Sequence, residues 1–392
     1  RRTERNMQKI FNRSFVSEYG PIIVGLILVI ALLIMPTGYE DNLVYQESIL
    51  CPARVLETDD SHIVDTGLVR SGDQICTLEI LSGEFKGEIT EGNNDLNGSL
   101  EQDKVFVPGD TALVRINHAD GEIINVSMID HYRIPGELVL AALFCVLLIL
   151  FAGRTGVRAL LSFAVCVLMI WKVLVPCCLN GVNPIWVGLG VVLVMAAMTV
   201  SLVYGFDYRA LASLGGCALA IAVTCIMGMI FTDQFKIHGA VMSYSESLLY
   251  SGYSQLNLTR IFMASIFIGA SGAVMDLAVD ITSSVSEVVE KKPDITAREA
   301  IKSGFTVGRA ALSTQTTTLL LAYSGGFIAL LMVFMAQGTP LYTVFNLKYV
   351  AAEILHTMVG CFGLVTVAPL TAITSGLLLT RKRAAALPAG EE

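Results

Sequence analysis

The chain reads as an all-α polytopic membrane protein of about eight transmembrane helices, with one small extracytoplasmic β-rich domain of OB-like or barrel type. Three observations carry that reading. The chain is 54% hydrophobic and only 15% charged, with mean hydropathy +0.65, far from an ordinary soluble domain. Apolar runs long enough to cross a ~30 Å hydrocarbon core recur along most of its length. The exception is a polar stretch, 38–133, in which short β-type runs alternate with turn clusters.

The first span, 20–37, follows a basic segment holding Arg1, Arg2, Arg5, Lys9 and Arg13, so residues 1–37 form a cytoplasmic N-terminus and first helix. A basic flank and an apolar core also fit a cleaved signal peptide. The missing small-residue cleavage pattern after Met35-Pro36 favours an anchor. In the outer domain, 38–133, the runs 74–81, 104–107, 111–116 and 123–129 read as strands. Ser71-Gly72-Asp73, Glu91-Gly92-Asn93-Asn94, Pro108-Gly109-Asp110 and Ala119-Asp120-Gly121 read as turns. Acidic residues outnumber basic ones there by about three to one, which concentrates the net charge of −8 in that domain. No basic patch with interleaved aromatics appears, which argues against nucleic acid as a partner.

Residues 134–231 hold four spans, 136–152, 156–175, 183–204 and 208–231, and an outer loop follows at 232–259. Residues 260–380 form a core of a sixth span (260–282), a cytoplasmic amphipathic helix, a seventh span (313–336) and an eighth (356–380). A tail, 381–392, closes the chain. With eight spans, Arg154, Arg158, Arg209, Lys291, Lys292, Arg298, Lys302, Arg309, Arg381, Lys382 and Arg383 share one side with the basic N-terminus. The positive-inside rule then places both termini in the cytoplasm, for a multi-pass protein of the cell (inner) membrane whose first partner is the lipid bilayer.

Most of the nine cysteines, such as Cys145, Cys166, Cys217, Cys225 and Cys361, lie in apolar spans and read as small buried hydrophobes. Cys51 and Cys76 share the outer domain, and a disulfide between them is left open. Cys177-Cys178 lack the second ligand pair that a zinc site needs, so no metal is expected.

The chemistry-bearing feature is Asp276 and Asp280, one helical turn apart inside the sixth span. A carboxylate in the bilayer costs roughly 2.5–3.5 kcal/mol on insertion scales, so such a pair reads as functional. Gly269, Gly272 and Ala273 extend the same helix face, and small residues let a neighbouring helix approach closely. The acids are then expected to face protein or trapped water. Thr296 with Glu299 has capping-box spacing, and Ala297, Ala300, Ile301 and Phe305 give the next helix an apolar face suited to the membrane surface. The seventh span opens with Ser313-Thr314-Gln315-Thr316-Thr317-Thr318. Thr314, Thr317 and Thr318 are candidates to solvate the acids, although bonding back to their own helix explains some of these hydroxyls. Arg309 stands at the inner mouth. Glu353 and His356, i and i+3 near the outer end of the last helix, are secondary candidates. An interfacial salt bridge or snorkelling is the commoner explanation for them.

The order acid-bearing span, amphipathic helix, Thr-rich span resembles the core of the resistance-nodulation-division (RND) superfamily and its export relatives, SecD and SecF. Gly269-Ala270-Ser271-Gly272-Ala273-Val274-Met275-Asp276 stands where they carry a glycine-and-acid pattern. Gly308-Arg309-Ala310 through Thr316-Thr317-Thr318-Leu319 stands where they enter the next span. Across nearly its whole length the chain is similar to the YibE/F family of bacterial multispan membrane proteins, on segments 269–280 and 313–322 and on Glu79-Ile80-Leu81-Ser82-Gly83-Glu84. The outer domain makes it YibE-like. Two additional spans separate that domain from the shared core, a departure from the export proteins.

Together these readings predict a proton- or sodium-coupled transporter or export helper whose relay is the aspartate pair. It uses the ion gradient rather than a cofactor, and its cargo is unknown. The export relatives use two facing units where this chain has one. A homodimer, or a heterodimer with a YibF-like subunit, is therefore expected. The competing reading is a non-transporting sensor or assembly factor whose outer domain binds a ligand or envelope protein. No nucleophile–base signature or phosphate-cradling loop points to an enzyme.

Overall fold

The structure, a computed structural model, describes the backbone of residues 2–39, 48–292 and 294–386, and side chains within 17–39, 48–292 and 294–382. The side chains of the basic cluster Arg1, Arg2, Arg5, Lys9 and Arg13, of Pro293 and of Arg383 lie outside the described residues. The chain divides into two compact units, Glu40–Leu150 and the combination of Arg1–Tyr39 with Phe151–Glu392.

In the first of these, β1 (Ser48–Asp65), β2 (Arg70–Ile80), β3 (Ile89–Asn97), β4 (Thr111–Ala119) and β5 (Glu122–His131) close a barrel in the order β1-β2-β3-β5-β4. All neighbours pair antiparallel except β3 and β5, which meet in parallel at Asn93 and Ser127. Alternate residues point inward, so Val55, Leu78, Ile80, Val114 and Ile116 are fully buried. The hairpin at Asp120-Gly121 uses two left-handed residues, φ 53° and 81°, as a tight turn between β4 and β5 requires.

Three sequence expectations are corrected here. Residues 104–107 form no strand, because interior side chains take their backbone hydrogen bonds. Phe106 N donates to Gln74 Oε1 at 3.0 Å, Gln74 Nε2 donates to Phe106 O at 2.9 Å, and Asn94 Nδ2 donates to Lys104 O at 2.6 Å. Glu91-Gly92-Asn93-Asn94 lies inside β3 rather than in a turn. Gly92 leaves room for Leu78, whose Cδ1 sits 2.4 Å from where a Cβ would be. Ser71-Gly72-Asp73 lies inside β2, and the turn falls before it, where Thr66 N donates to Val69 O at 3.0 Å. Cys51 and Cys76 are free and buried, and burial pushes the Cys76 thiol up to about 11.

Among the described residues, eight helices are long and apolar enough to cross a membrane: α1 (Arg2–Ile34), α2 (Ile134–Ala152), α3 (Arg154–Leu179), α4 (Pro184–Tyr204), α5 (Tyr208–Gln234), α6 (Leu258–Lys291), α7 (Ala297–Ala336) and α8 (Lys348–Ala386). Each falls on one of the expected spans, so the chain is a multi-pass membrane protein. Helix α2 buries none of its side chains and is apolar all round, as a lipid-facing span is. The bundle is built around α6 and α8. Helix α8 packs on α5, α6 and α7, and α6 also packs on α4 and α5.

Glycines set these contacts. A Cβ at Gly216 of α5 would lie 2.2 Å from Thr371 Oγ1. One at Gly363 of α8 would lie 2.5 Å from Thr224 Oγ1, and one at Gly304 of α7 would lie 2.8 Å from Ala372 Cβ. Lipid supplies no hydrophobic drive between helices, so close backbone approach and hydroxyl bonds hold the bundle. Thr282 and Ser375 meet at 2.9 Å between α6 and α8, and Ser162 and Thr199 at 2.8 Å between α3 and α4. Helix α3 passes through a π turn, Ile170–Leu174, and there Lys172 Nζ donates to Met35 O at 3.0 Å, satisfying a carbonyl just past the end of α1.

Helix α7 also departs from expectation. Its Ala297–Ser324 stretch is one helix rather than a separate amphipathic helix followed by a span. From its capping box at Thr296 and Glu299 it runs unbroken over Ala297–Ser324, then through a 3₁₀ turn at Gly325–Phe327. The face that reads as amphipathic is a helix contact. Ala300 is fully buried, and Gly304 and Gly308 fit against Ala372 and Ala368 of α8.

Candidate ion-relay site

Asn257 starts α6 by accepting the backbone N–H of Arg260 at 3.0 Å, and the helix continues for 34 residues. At 1.5 Å per residue that is ~51 Å, well beyond the hydrocarbon thickness, so its last turns stand clear of the core. Asp276 lies six residues before the end of the apolar run 260–282, about 9 Å inside it. Helix α6 is the most enclosed of the eight spans, yet Gly269, Gly272, Asp276 and Asp280 on it are exposed and Ala273 is half-buried. A Cβ at Gly272 would meet nothing within 4 Å. Asp276 and Asp280 lie in electrostatic range of one another on this open face.

The Thr-rich entry of α7 does not serve them. Thr314 Oγ1 donates to Ala311 O at 3.1 Å, Thr317 Oγ1 to Ser313 O at 3.1 Å and Thr318 Oγ1 to Thr314 O at 2.9 Å. All three bond back to their own helix, the internal explanation for hydroxyls in a span. Arg309 is exposed and makes no ion pair among the described residues. Acids, threonines and arginine are therefore not gathered into one hydrogen-bonded cluster.

One neighbour of the acid face was not read from the sequence. Tyr204, the last residue of α4, donates to Val279 O at 2.5 Å and meets Ser283 Oγ at 2.7 Å, within electrostatic range of Asp280. Just beyond it Asp207 caps α5 and pairs with Lys382 at 2.8 Å and Arg209 at 3.2 Å. Burial pushes its carboxyl up, but the Lys382 hydrogen bond and the other partners prevail and hold it below the usual carboxylate range. A single Tyr at a span end carries no periodic signal, so only tertiary structure shows its role.

Glu353 and His356 do not pair with each other among the described residues. His356 Nε2 faces Ser265 O at 3.3 Å, and its ring stacks on Tyr323 with centroids 4.6 Å apart and meets the edge of Phe262 at 6.2 Å. Glu353 Oε1 and the Tyr323 hydroxyl are both buried without a hydrogen-bond partner. Gly269 borders this cluster, since a Cβ there would lie 2.6 Å from Tyr323 Oη and 3.3 Å from His356 Nε2. Gly269 is thus closely approached by Tyr323 and His356, while a Cβ at Gly272 would meet nothing within 4 Å. Among the described residues, no group of three His, Cys, Asp or Glu side chains is placed to hold a metal ion.

No curated protein and no solved structure matches the chain. A family model, described as YibE/F-like protein, matches residues 140–381, more than half of the chain, from within the second span onward. That match takes in the acid face, the Thr-rich entry of α7 and the Glu353 cluster, and the chain belongs to the YibE/F-like family.

Proposed function

We propose that this protein is an ion-coupled membrane transporter or export-assisting protein, with Asp276 and Asp280 as the relay for protons or sodium. The observation that carries this reading is the open acid face on the most enclosed helix of the bundle. Leaving two carboxylates to lipid costs several kcal/mol, so the face is covered by protein or water in the working assembly. A second subunit, another copy of this chain or a YibF-like partner, supplies that cover, as the facing halves of RND and SecD–SecF proteins do. Loss and gain of one proton, or of one sodium, changes the charge of the face and hence the packing it favours. Tyr204 ties α4 to the same stretch of α6 and carries such a change to the rest of the bundle. In this reading the protein sits in the cell (inner) membrane with both termini cytoplasmic, and the OB-like barrel is extracytoplasmic.

The test is proton and sodium flux in proteoliposomes, comparing the wild type with Asp276→Asn and Asp280→Asn. Asp276→Asn is expected to abolish coupled flux, and Asp280→Asn to slow it. Equal flux in all three proteins would remove the mechanism.

The sensor or assembly-factor reading has its own support. A groove of about 680 Å³ on the barrel is lined by His62, Asp73, Thr90, Asn93, Ile123 and Asn125. It runs beside the β3–β5 seam, where a single residue pair joins the strands. If that reading holds, Asp276→Asn leaves function intact while substitutions in the groove abolish it.

A further inference from the structure

The bundle holds a second carboxylate in a setting opposite to that of Asp276. We propose that Glu353, with Tyr323 and His356, forms a separate proton-binding site near the end of the bundle where α6 and α8 begin. The proposal deepens the ion-coupled reading, on which it rests for its purpose, by giving that path an outer station.

The argument starts from two orphaned atoms. Glu353 Oε1 has no donor and the Tyr323 hydroxyl has no acceptor, and both are shielded from solvent. Leaving a buried polar atom unpaired costs about 1–3 kcal/mol, and more for a charged one. An ionised carboxyl with one oxygen buried and undonated is therefore the costlier of the two states open to Glu353. A bound proton removes that charge, which no Lys or Arg among the described residues pairs with. The charges around Glu353 do not offer another remedy. From α7 comes the Tyr323 phenol, in electrostatic range of Glu353, and beside that phenol stand His356 and Cys361 of α8. Helix α6 contributes the Ser265 carbonyl and the bare backbone of Gly269. Helix α5 contributes the apolar Met227 and Phe231, while Asp233 and Lys236 beyond them are exposed.

His356 is a positioning residue. Its Nε2 faces a backbone carbonyl, so that nitrogen carries the hydrogen and donates, and the ring is held between Phe262 and Tyr323. A sodium ion fits this site poorly. The oxygens on hand are those of Glu353, Tyr323 and Ser265, and the last already accepts from His356. A hard cation wants about six oxygen ligands.

The experiment is labelling of the purified full chain with dicyclohexylcarbodiimide, which adds to protonated carboxyls in apolar surroundings, followed by peptide mass mapping across a pH series. An adduct on Glu353 is expected. Its yield should fall about tenfold per pH unit once the carboxyl deprotonates. Glu353→Gln should remove the adduct and Asp276→Asn should leave it. Tyr323→Phe and Gly269→Ala should shift the pH midpoint without removing it.

Infrared spectra provide the second measurement: a protonated-carboxyl band lost in Glu353→Gln. Absence of both the adduct and the band overturns the proposal. Protection of Glu353 by sodium at constant pH also overturns it, by putting a metal cation where the proton belongs. Unchanged ion flux in Asp276→Asn would sink the relay reading and leave the Glu353 labelling where it was, so the two failures are distinguishable.

Discussion

Asp276 and Glu353 are carboxylates in apolar helices of one bundle, and the bundle treats them in opposite ways. Asp276 stands on an open face, beside a glycine whose Cβ would touch nothing, and the threonines of α7 bond back to their own helix. Glu353 is half-buried, and its orphaned oxygen shares a pocket with an equally orphaned hydroxyl. The difference lies in the covering helices. The Glu353 cluster draws on α6, α7 and α8, whereas beside the acid face Tyr204 of α4 donates to Val279 O and meets Ser283. A carboxylate enclosed by its own chain is tuned within one subunit. An open one takes its properties from whatever covers it, which makes assembly part of its chemistry.

The largest effect that tests this contrast comes from glycine. At Gly216 a Cβ would meet Thr371 Oγ1 at 2.2 Å and its Cα at 2.6 Å, so the obstruction includes backbone that cannot swing aside. Gly216→Leu is expected to cost upward of ~3 kcal/mol and to abolish a cooperative melt in detergent. At Gly272 the same substitution meets open space and should leave the melt of the isolated subunit unchanged. What Gly272→Leu should lose is association, read by crosslinking in membranes. A Gly272→Leu subunit that fails to fold would show that the face is already closed.

A smaller effect tests the enclosed side. Tyr323→Phe removes a hydroxyl that has no partner, so stability should stay level or rise by about 1 kcal/mol, checked by the same melts. A loss of that size would mean that the hydroxyl is satisfied and that the pocket is not as described.

How much of this was legible beforehand follows from the kind of signal each feature leaves. Spans are written in composition over some twenty residues, so all eight were readable, as was a barrel-type domain between the first two. Barrel strands were less so. Strand β3 carries Glu91, Gly92, Asn93 and Asn94, residues that locally favour turns, and it forms because Gly92 and Asn94 face an interior with space and hydrogen bonds for them. The 104–107 run looks like a strand for the converse reason, since nothing local shows that Gln74 and Asn94 will take its backbone groups. In α7, an apolar face that packs on a helix cannot be told from one that lies on lipid until α8 is in place. The acid pair was legible because charge in a span is rare. Its exposure was not, because a periodic face names its residues without naming what covers them.

The smallest predicted effect extends the contrast beyond the membrane. In the barrel, carboxylates are satisfied by backbone amides. Asp103 accepts from Asn97 N at 2.9 Å and Ser99 N at 2.7 Å, and Asp65 accepts from Gly67 N at 2.7 Å and from Arg70 Nε at 2.9 Å. These amide hydrogen bonds hold both carboxyls below the ordinary carboxylate range. A carboxyl whose folded value is depressed contributes stability that is fully present above its unfolded value and is lost as pH falls through the folded one. Asp65 is exposed and Asp103 half-buried in a surface loop, so the effect is local rather than global. The amides of Asn97, Ser99 and Gly67 should exchange faster as the solution is acidified below the ordinary carboxylate range. Asp103→Asn should remove that acid sensitivity at Asn97 and Ser99 while leaving it at Gly67, as followed by hydrogen-exchange mass spectrometry of the full chain. Exchange at Asn97 and Ser99 that stays pH-independent beyond the intrinsic chemical rate would show that these loops do not depend on the Asp103 charge. The contrast between self-satisfied acids outside the membrane and an unserved pair within it would then lose one of its terms.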